Sequence, residues 1–115
     1  MPVKFNINQT GIENKLNNPL KGDGLAMLSS QILRDCNKYC KEDTGMLISS
    51  SLIHSDLRKG RLVWQTPYAA RQYYEIRTAY KDVNANASWR WCEVAKNNHL
   101  LKWVKQAQAI ARLYG

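Results

Sequence analysis

The longest helical pattern of the chain lies in residues 88–113, SWRWCEVAKNNHLLKWVKQAQAIARL. Apolar side chains recur along it every three or four residues and fall within a narrow angular sector, as on one face of an amphipathic helix. Lys96 lies at the margin of that sector, where its aliphatic stem can cover apolar surface while the ammonium group stays in water. We therefore predict a long C-terminal helix whose buried face consists of Cys92, Ala95, His99, Trp103, Ala107, Ile110 and Tyr114.

A second amphipathic helix is predicted upstream, over residues 20–41. Its apolar residues also recur at spacings of three and four, whereas most of its charged residues lie elsewhere. The preceding Asn18 is pushed away from helical dihedrals by Pro19, which itself suits an early position of the new helix. Two glycines weaken the first turn, so Asp23, a favourable N-cap residue, is an alternative start. The apolar stripe consists of Leu25, Leu28, Ile32, Cys36 and Tyr39.

Alternation of apolar and polar residues predicts two strands. Residues 3–8, VKFNIN, and residues 61–66, RLVWQT, both place every second side chain on one face. The RKG sequence at 58–60 predicts a tight hairpin turn before the second strand, with Gly60 adopting a positive φ. Pro67 ends that strand because proline cannot donate a hydrogen bond to the ladder.

Two further segments are predicted to be extended. Residues 46–57 are rich in Ser, Ile and Leu, and the aromatic enrichment of residues 68–76 favours a third sheet strand or an extended arm over a helix. Residues 12–16 predict a short helical piece, and residues 77–87 predict a loop. We therefore predict one α+β domain over residues 1–115, a small mixed or antiparallel sheet of about four strands with two long helices packed on it.

Composition and charge narrow the class of protein. The 115 residues suit one globular domain, and we expect a soluble protein kept in a cytoplasm because neither a secretory signal nor a membrane-spanning stretch is recognisable. The net charge is +8, and the whole excess lies in residues 58–115, which contain eleven basic and three acidic side chains. Such an excess is compatible with a nucleic-acid or acidic-protein contact, or simply with solubility.

The residues that carry chemistry do not form a recognisable catalytic or metal site. His54 and His99 have no adjacent acidic partner in sequence, and no nucleophile or phosphate-binding motif is present, so we do not expect an enzyme. Cys36, Cys40 and Cys92 are an odd number of thiols with poor spacing for zinc, which normally draws on closely paired ligands. We expect reduced, buried thiols, no metal and no cofactor.

Aromatic and basic residues are interleaved in the second half of the chain. Surfaces of this kind stack single-stranded bases, and they are also enriched in protein–protein contacts. Protein is the favoured partner, and a small basic nucleic-acid-binding module is the alternative. The aromatic members are Trp64, Tyr68, Tyr73, Tyr74, Tyr80, Trp89, Trp91 and Trp103, and the basic ones are Arg58, Arg61, Arg71, Arg77, Lys81 and Arg90.

Three short motifs follow one another along the chain. They are Tyr39 with DTGML at 43–47 and Ser51, then TPYAARQYYE at 66–75, and then NAS at 86–88 leading into Trp91, Ala95, His99 and Trp103. In this order they resemble the small minor capsid and tail-completion proteins of long-tailed bacteriophages. The sequence departs from the family pattern at Ile48, where a basic residue is common, and at Glu75-Ile76, where a glycine is common.

The resemblance implies a non-enzymatic virion protein of the neck or tail end, assembled in the host cytoplasm. Related proteins are similar to head–tail joining and tail-terminator subunits, which form rings, often hexamers, between the connector and the tail tube. The partners implied are therefore other copies of the chain, the connector or head-completion proteins and the tail-tube protein, with DNA contact left open and no membrane.

A closed ring uses two different patches on each subunit. We predict that residues 68–80 supply one of them, because tyrosines offer large contact area with a polar tip and arginine adds charge-assisted hydrogen bonds. The alternative is that Tyr68 belongs to the core together with Tyr74, while Arg77 is solvated. The candidate interface residues are Tyr73, Tyr74, Arg77 and Tyr80.

Overall fold

Two long helices and an antiparallel pair of strands form the framework of the protein. The structure is a computed structural model, and it describes residues 2–16, 20–40, 46–67, 69–74 and 90–114. Short 3₁₀ segments at Ile7–Thr10, Ile12–Lys15 and Leu57–Lys59 connect the main elements. The main elements are β1 (Val3–Asn6), α1 (Gly22–Asn37), α2 (Met46–His54), β2 (Arg61–Trp64), α3 (Ala69–Tyr74) and α4 (Trp91–Tyr114).

Helix α1 confirms the predicted upstream helix and its buried stripe. Leu28, Ile32 and Cys36 are buried, and Leu25 and Tyr39 are partly buried against the same core. The helix spans Gly22–Asn37, within the predicted range 20–41, and Lys21 is its extended cap residue. Gly22 at its first position takes a left-handed φ of 57°, which glycine adopts without strain. Asp23 does not cap the helix but pairs with the guanidinium group of Arg58.

Helix α4 confirms the predicted C-terminal helix, although its described part begins at Trp91 and not near Ser88. Residues 88 and 89 lie outside the described residues. The predicted face is buried at Cys92, Ala95, Trp103, Ala107 and Ile110. His99 lies on the same face, partly exposed, and its Nε2 atom is 2.9 Å from the hydroxyl oxygen of Tyr39.

A buried carboxylate joins α1 to α4. Asp35 accepts a hydrogen bond of 2.7 Å from the indole Nε1 of Trp103, and the ammonium groups of Lys38 and Lys102 lie 3.2 and 3.0 Å from its oxygens. Burial acts to raise the pKa of Asp35, but the hydrogen bonds from Trp103, Lys102 and Lys38 outweigh it and lower that pKa below 3.8. The carboxylate is therefore charged at neutral pH and fully partnered.

The two strands pair in antiparallel register, with Val3 opposite Trp64 and Phe5 opposite Leu62. All four of these side chains are buried, as the alternation predicts. Strand β1 is shorter than the predicted 3–8, because the chain turns into a 3₁₀ segment at Ile7. These two strands are the whole sheet within the described residues, so the predicted four-stranded sheet is not confirmed.

The prediction of an extended segment over residues 46–57 is wrong, because Met46–His54 is the helix α2. The hydroxyl of Ser50 accepts a 3.0 Å hydrogen bond from the backbone N–H of Gln65, and the hydroxyl of Ser55 accepts one of 2.9 Å from Val63. Side chains from α2 and the residue after it thus satisfy backbone donors along the outer edge of β2. A strand paired to that edge would have made the same hydrogen bonds through its backbone.

The turn before β2 confirms the predicted role of Gly60, whose φ is 69°. Asp56 and Arg61 exchange backbone hydrogen bonds of 2.8 and 2.9 Å across it, so the turn closes an isolated bridge rather than a hairpin of two strands. The positive φ at position 60 would strain any residue other than glycine, and an added Cβ atom would make a tight contact of 3.1 Å with the side chain of Ile7.

The prediction of a strand or extended arm over residues 68–76 is wrong for its described part. Residues 69–74 form the short helix α3, while Tyr68 and residues 75–76 lie outside the described residues. The predicted loop at 77–87 lies outside them as well. The predicted helical piece at 12–16 is confirmed as the 3₁₀ segment Ile12–Lys15. In the described ranges, no helix combines the length and the apolarity that crossing a membrane requires.

Candidate protein-interaction surfaces

An aromatic cluster fastens α3 to the start of α4. The ring of Trp91 packs edge-on against Tyr73, with ring centroids 4.6 Å apart, and against Trp64 at 5.8 Å. The hydroxyl of Tyr73 donates a hydrogen bond to the carboxylate of Glu93, and only 3% of Tyr73 is exposed. Within one chain, Tyr73 is therefore a core residue that holds α3 in place.

The carboxylate of Glu93 links this cluster to the surface. Partial burial raises the pKa of Glu93, although its own backbone hydrogen bond and the charge of Lys96 act to lower it. The guanidinium group of Arg90 is 3.8 Å from the same carboxylate. Because Glu93 accepts a hydrogen bond from Tyr73 and faces Arg90, it ties the buried ring to the exposed rim of the cluster.

The exposed rim of the cluster is formed by Tyr74 and Arg90. Tyr74 is 56% exposed, and the guanidinium carbon of Arg90 lies 5.1 Å from the centroid of its ring, within cation–π range. Arg90 has a φ of 51°, unusual outside glycine, and its backbone N–H donates a 2.7 Å hydrogen bond to the carbonyl of Tyr73. This backbone bond sets the guanidinium group above the tyrosine.

The structure brings two of the four predicted interface residues together. Tyr73 and Tyr74 stack edge to face with centroids 5.0 Å apart, the first buried and the second exposed. Arg77 and Tyr80 lie outside the described residues, so the interface stays a prediction. Arg90 is not among the predicted interface residues, although its position between two tryptophans, WRW, is a sequence signal for it.

A second candidate surface is the outer face of α2. Leu52 and Ile53 are 69% and 76% exposed, and Ser49 beside them is exposed as well. Their spacing of i, i+3 and i+4 places the three side chains on one face of the helix. We call this face, formed by Ser49, Leu52 and Ile53, the apolar ridge. The sequence-based prediction of an extended segment over residues 46–57 does not reveal this face, because successive side chains of a strand point to opposite sides and would separate Leu52 from Ile53.

A third candidate surface is an open groove of about 660 Å³ between α1 and α4. It lies between the first half of α1 and the last turns of α4, and it contains Met27 and Leu113, which are 44% and 78% exposed. We call it the apolar groove. Its lining consists of Asp23, Ala26, Met27, Ser30, Gln31, Gln106, Ala109, Ile110 and Leu113.

The three thiols lie together in the core rather than in a surface site. Cys36, Cys40 and Cys92 are buried and form no disulfide. Burial raises the pKa of the Cys92 thiol well above its ordinary value, and a hydrogen bond with Cys36 and the charges of Cys36 and Cys40 raise it further. Among the described residues, no group of three histidine, cysteine, aspartate or glutamate side chains is placed to hold a metal ion. All three thiol side chains are fully enclosed in the core.

Comparison with known proteins supplies the family. The sequence model of a family described as minor capsid protein matches residues 3–111. Searches among curated proteins and among solved structures return no significant match.

Proposed function

The chain belongs to the minor capsid protein family, and on this premise we propose that it is a ring-forming subunit that joins the head of a tailed bacteriophage to its tail. Membership of this family makes the protein a structural component of a phage virion. The position in the neck, the ring and its neighbours, the connector or head-completion proteins and the tail-tube protein, belong to the proposal.

The observation that carries the proposal is the exposed apolar surface of α2. Leu52 and Ile53 project from a helix that already packs its other side on β2, and they are 69% and 76% exposed within the described part of the chain. Contiguous exposed apolar residues on a small soluble domain mark sites of protein–protein contact. A structural protein of a virion is surrounded by other proteins, and such a surface is what docking to them requires.

The rim formed by Tyr74 and Arg90 supports a second contact. An exposed tyrosine carrying a guanidinium group over its ring offers apolar area, a hydroxyl and a positive charge in one place. Because it is a different part of the molecule from the apolar ridge, the subunit has more than one surface to offer its neighbours. We propose that this rim, together with the predicted residues Arg77 and Tyr80, contacts an adjacent protein of the neck.

The first test is a phage in which the gene is interrupted. We expect DNA-filled heads and separate tails, seen by electron microscopy, and we expect purified protein added to the lysate to restore infectious particles. Normal tailed particles without the protein would overturn the proposal.

The substitutions described below need a matched control on the surface. Leu101→Glu serves as that control, because Leu101 is 79% exposed on α4 and lies outside the lining of the groove.

If the chain is instead a basic nucleic-acid-binding module, experiments on the purified protein and on purified virions should give a different result. Phosphate contacts release counterions, so DNA binding by such a module falls steeply as the salt concentration rises. Absence of the protein from purified virions, combined with tight and salt-sensitive DNA binding, would favour the alternative. Presence in virions as a constant number of copies supports the proposed structural role.

The second test addresses the rim. The Tyr74→Ala variant should lower the yield of infectious particles while leaving the free energy of unfolding nearly unchanged, because Tyr74 is more than half exposed. The Tyr73→Ala variant is not a clean test, since loss of a buried ring destabilises the chain by about 3–5 kcal/mol. An unchanged yield with Tyr74→Ala would remove Tyr74 from the interface.

A further inference from the structure

We propose that a basic patch where α1 crosses α4 binds the phosphate backbone of double-stranded DNA. Such a contact does not read the base sequence, because phosphates are the same at every position of a duplex. The proposal rests on the charges of the two helices and on membership of a virion protein family, and not on the ring or the neck. We call this surface, formed by Arg34, Lys38, Lys102 and Lys105, the crossing patch.

A buried carboxylate fixes two of the four cations. The side chain of Asp35 is 2% exposed, whereas those of Lys38 and Lys102 are 51% and 44% exposed. Both ammonium nitrogens lie 3.2 Å from the same oxygen, Oδ1 of Asp35, which holds the two positive charges close together at the surface. An ammonium group carries three N–H donors, so Lys102 can remain on Asp35 and still donate to an anion outside the protein.

The other two cations extend this pair in one direction. The two helices run antiparallel, since Tyr39 at the end of α1 meets His99 in α4, while the start of α1 lies against the last turns of α4. Arg34 lies one turn before the lysine of α1, and Lys105 lies about one turn after the lysine of α4. In antiparallel helices both steps, of about 5.4 Å each, lead toward the same end of the molecule.

The crossing patch has an excess of positive charge. Its four cations surround one carboxylate, and Arg34 and Lys105 are exposed and form no ion pair with any residue that the structure describes. Helix α4 contains no acidic residue after Glu93. Together with the net charge of +8, this arrangement attracts a polyanion and repels another copy of the same chain.

The composition of the patch favours DNA over an acidic protein. Three of its four cations are lysines, which are depleted in protein–protein interfaces, whereas such interfaces are enriched in arginine and aromatic residues. Lysine binds phosphate as a point charge, and release of the counterions condensed on DNA supplies the favourable free energy. The family places the chain in a phage virion, where the genome is the abundant polyanion.

The test measures binding of the purified protein to a short, fluorescently labelled DNA duplex of mixed sequence, by fluorescence anisotropy between about 50 and 200 mM salt. The double variant Arg34→Gln with Lys105→Gln removes two cations and leaves the contacts of Asp35 intact. We expect its affinity to fall about tenfold and the slope of log K against log salt to decrease by about two, because two phosphate contacts are lost.

The matched control is the double variant Lys4→Gln with Arg61→Gln. It also removes one lysine and one arginine, both exposed on the two strands and without an ion pair among the described residues. Its net charge therefore equals that of the patch variant, and its affinity should stay within about threefold of the unaltered protein. Equal losses in the two double variants, or no binding by the unaltered protein at low salt, would overturn the proposal.

Competition distinguishes DNA from an acidic protein. Unlabelled polyglutamate of the same total charge should displace the labelled duplex much less effectively than unlabelled duplex does. Equally effective displacement would mean that the patch accepts carboxylates as well as phosphates, which would favour an acidic protein partner and overturn the proposal.

Protection from acetylation locates the contact without any substitution. The protein is treated with an amine-acetylating reagent with and without DNA, and the modified lysines are identified by mass spectrometry. We expect DNA to protect Lys102 and Lys105 and to leave Lys4 reactive. Protection of Lys4 alone would place the DNA on the strands and contradict the proposal.

These outcomes are independent of those that test the joining role. A failure to bind DNA would leave the proposed role in head–tail joining standing. Normal tailed particles formed without the protein would overturn that role, while the DNA contact would still be decided by the affinities of the two double variants.

Discussion

The α1–α4 pair and α2 distribute their polar residues in opposite ways. The long helices bury apolar stripes and keep most charges outside, with one fully partnered carboxylate, Asp35, between them. Helix α2 instead buries Ser50 and Ser51 beside Leu47 and leaves Leu52 and Ile53 exposed. Ser50 on its inner face supplies a hydrogen-bond acceptor to the edge of β2, which leucine cannot do. The comparison shows that the demand for hydrogen bonds, and not only the hydrophobic effect, decides which face of a short helix is buried.

The largest expected effect is in the α1–α4 pair. The Trp103→Ala variant removes a fully buried indole and the N–H that donates to Asp35, so we expect unfolding to become easier by about 3–5 kcal/mol. Denaturant titration followed by circular dichroism measures it. The Trp103→Phe variant keeps most of the side-chain volume but not the N–H donor, so its free energy of unfolding should lie between those of the unaltered protein and Trp103→Ala. Melting that is unchanged in Trp103→Ala would contradict the packing of α4 on α1.

The second-largest expected effect is the part of the pH dependence of stability that Asp35 causes. Its pKa in the folded protein is lowered below 3.8, so its contribution to stability is present above that ordinary value and is lost as the pH falls through the folded pKa. We expect Asp35→Asn to destabilise the protein at neutral pH and to lack this part of the acid response. Free energies of unfolding measured from pH 7 down to pH 2 compare the two chains. Parallel curves would show that Asp35 does not contribute.

Ser50 of α2 and Ser55, the residue that follows the helix, should each show a smaller loss of stability when replaced by alanine. Ser50→Ala leaves the N–H of Gln65 without its acceptor, and Ser55→Ala does the same to Val63, at a cost of about 1–3 kcal/mol for a buried donor. Both donors are partly buried, so values near the lower end are expected. Ser49→Ala is the control, because Ser49 is exposed on the same helix. If all three variants unfold alike, the serines do not hold α2 on the strand.

The smallest expected effect on stability is on the outer face of α2. Ile53→Glu replaces a side chain that is 76% exposed, so its free energy of unfolding should stay within about 0.5 kcal/mol of the unaltered protein. Leu101→Glu on α4 should behave in the same way. The two variants should then differ in assembly and not in stability. A clear destabilisation by Ile53→Glu would mean that the ridge packs within its own chain.

Much of the framework follows from periodicity alone. The stripes of α1 and α4 repeat every three to four residues over several turns, and β1 and β2 alternate strictly, so each pattern fits one kind of element. The sequence also determines the turn at Gly60, since few other residues adopt its positive φ. The family is recognisable from short motifs in order, and the match over residues 3–111 confirms it.

The tertiary structure alone decided the state of residues 46–57 and the place of Tyr73. MLISSSLIH has three serines between two apolar stretches, so neither helical nor strand periodicity is clear. In the folded chain the segment is a helix, and its Ser50 accepts a hydrogen bond from the edge of β2. Tyr73 and Tyr74 are identical in sequence terms, and only the packing of Trp91 makes one buried and the other exposed. The apolar groove likewise exists only once α1 and α4 have crossed, because its lining residues are about 80 positions apart in the chain.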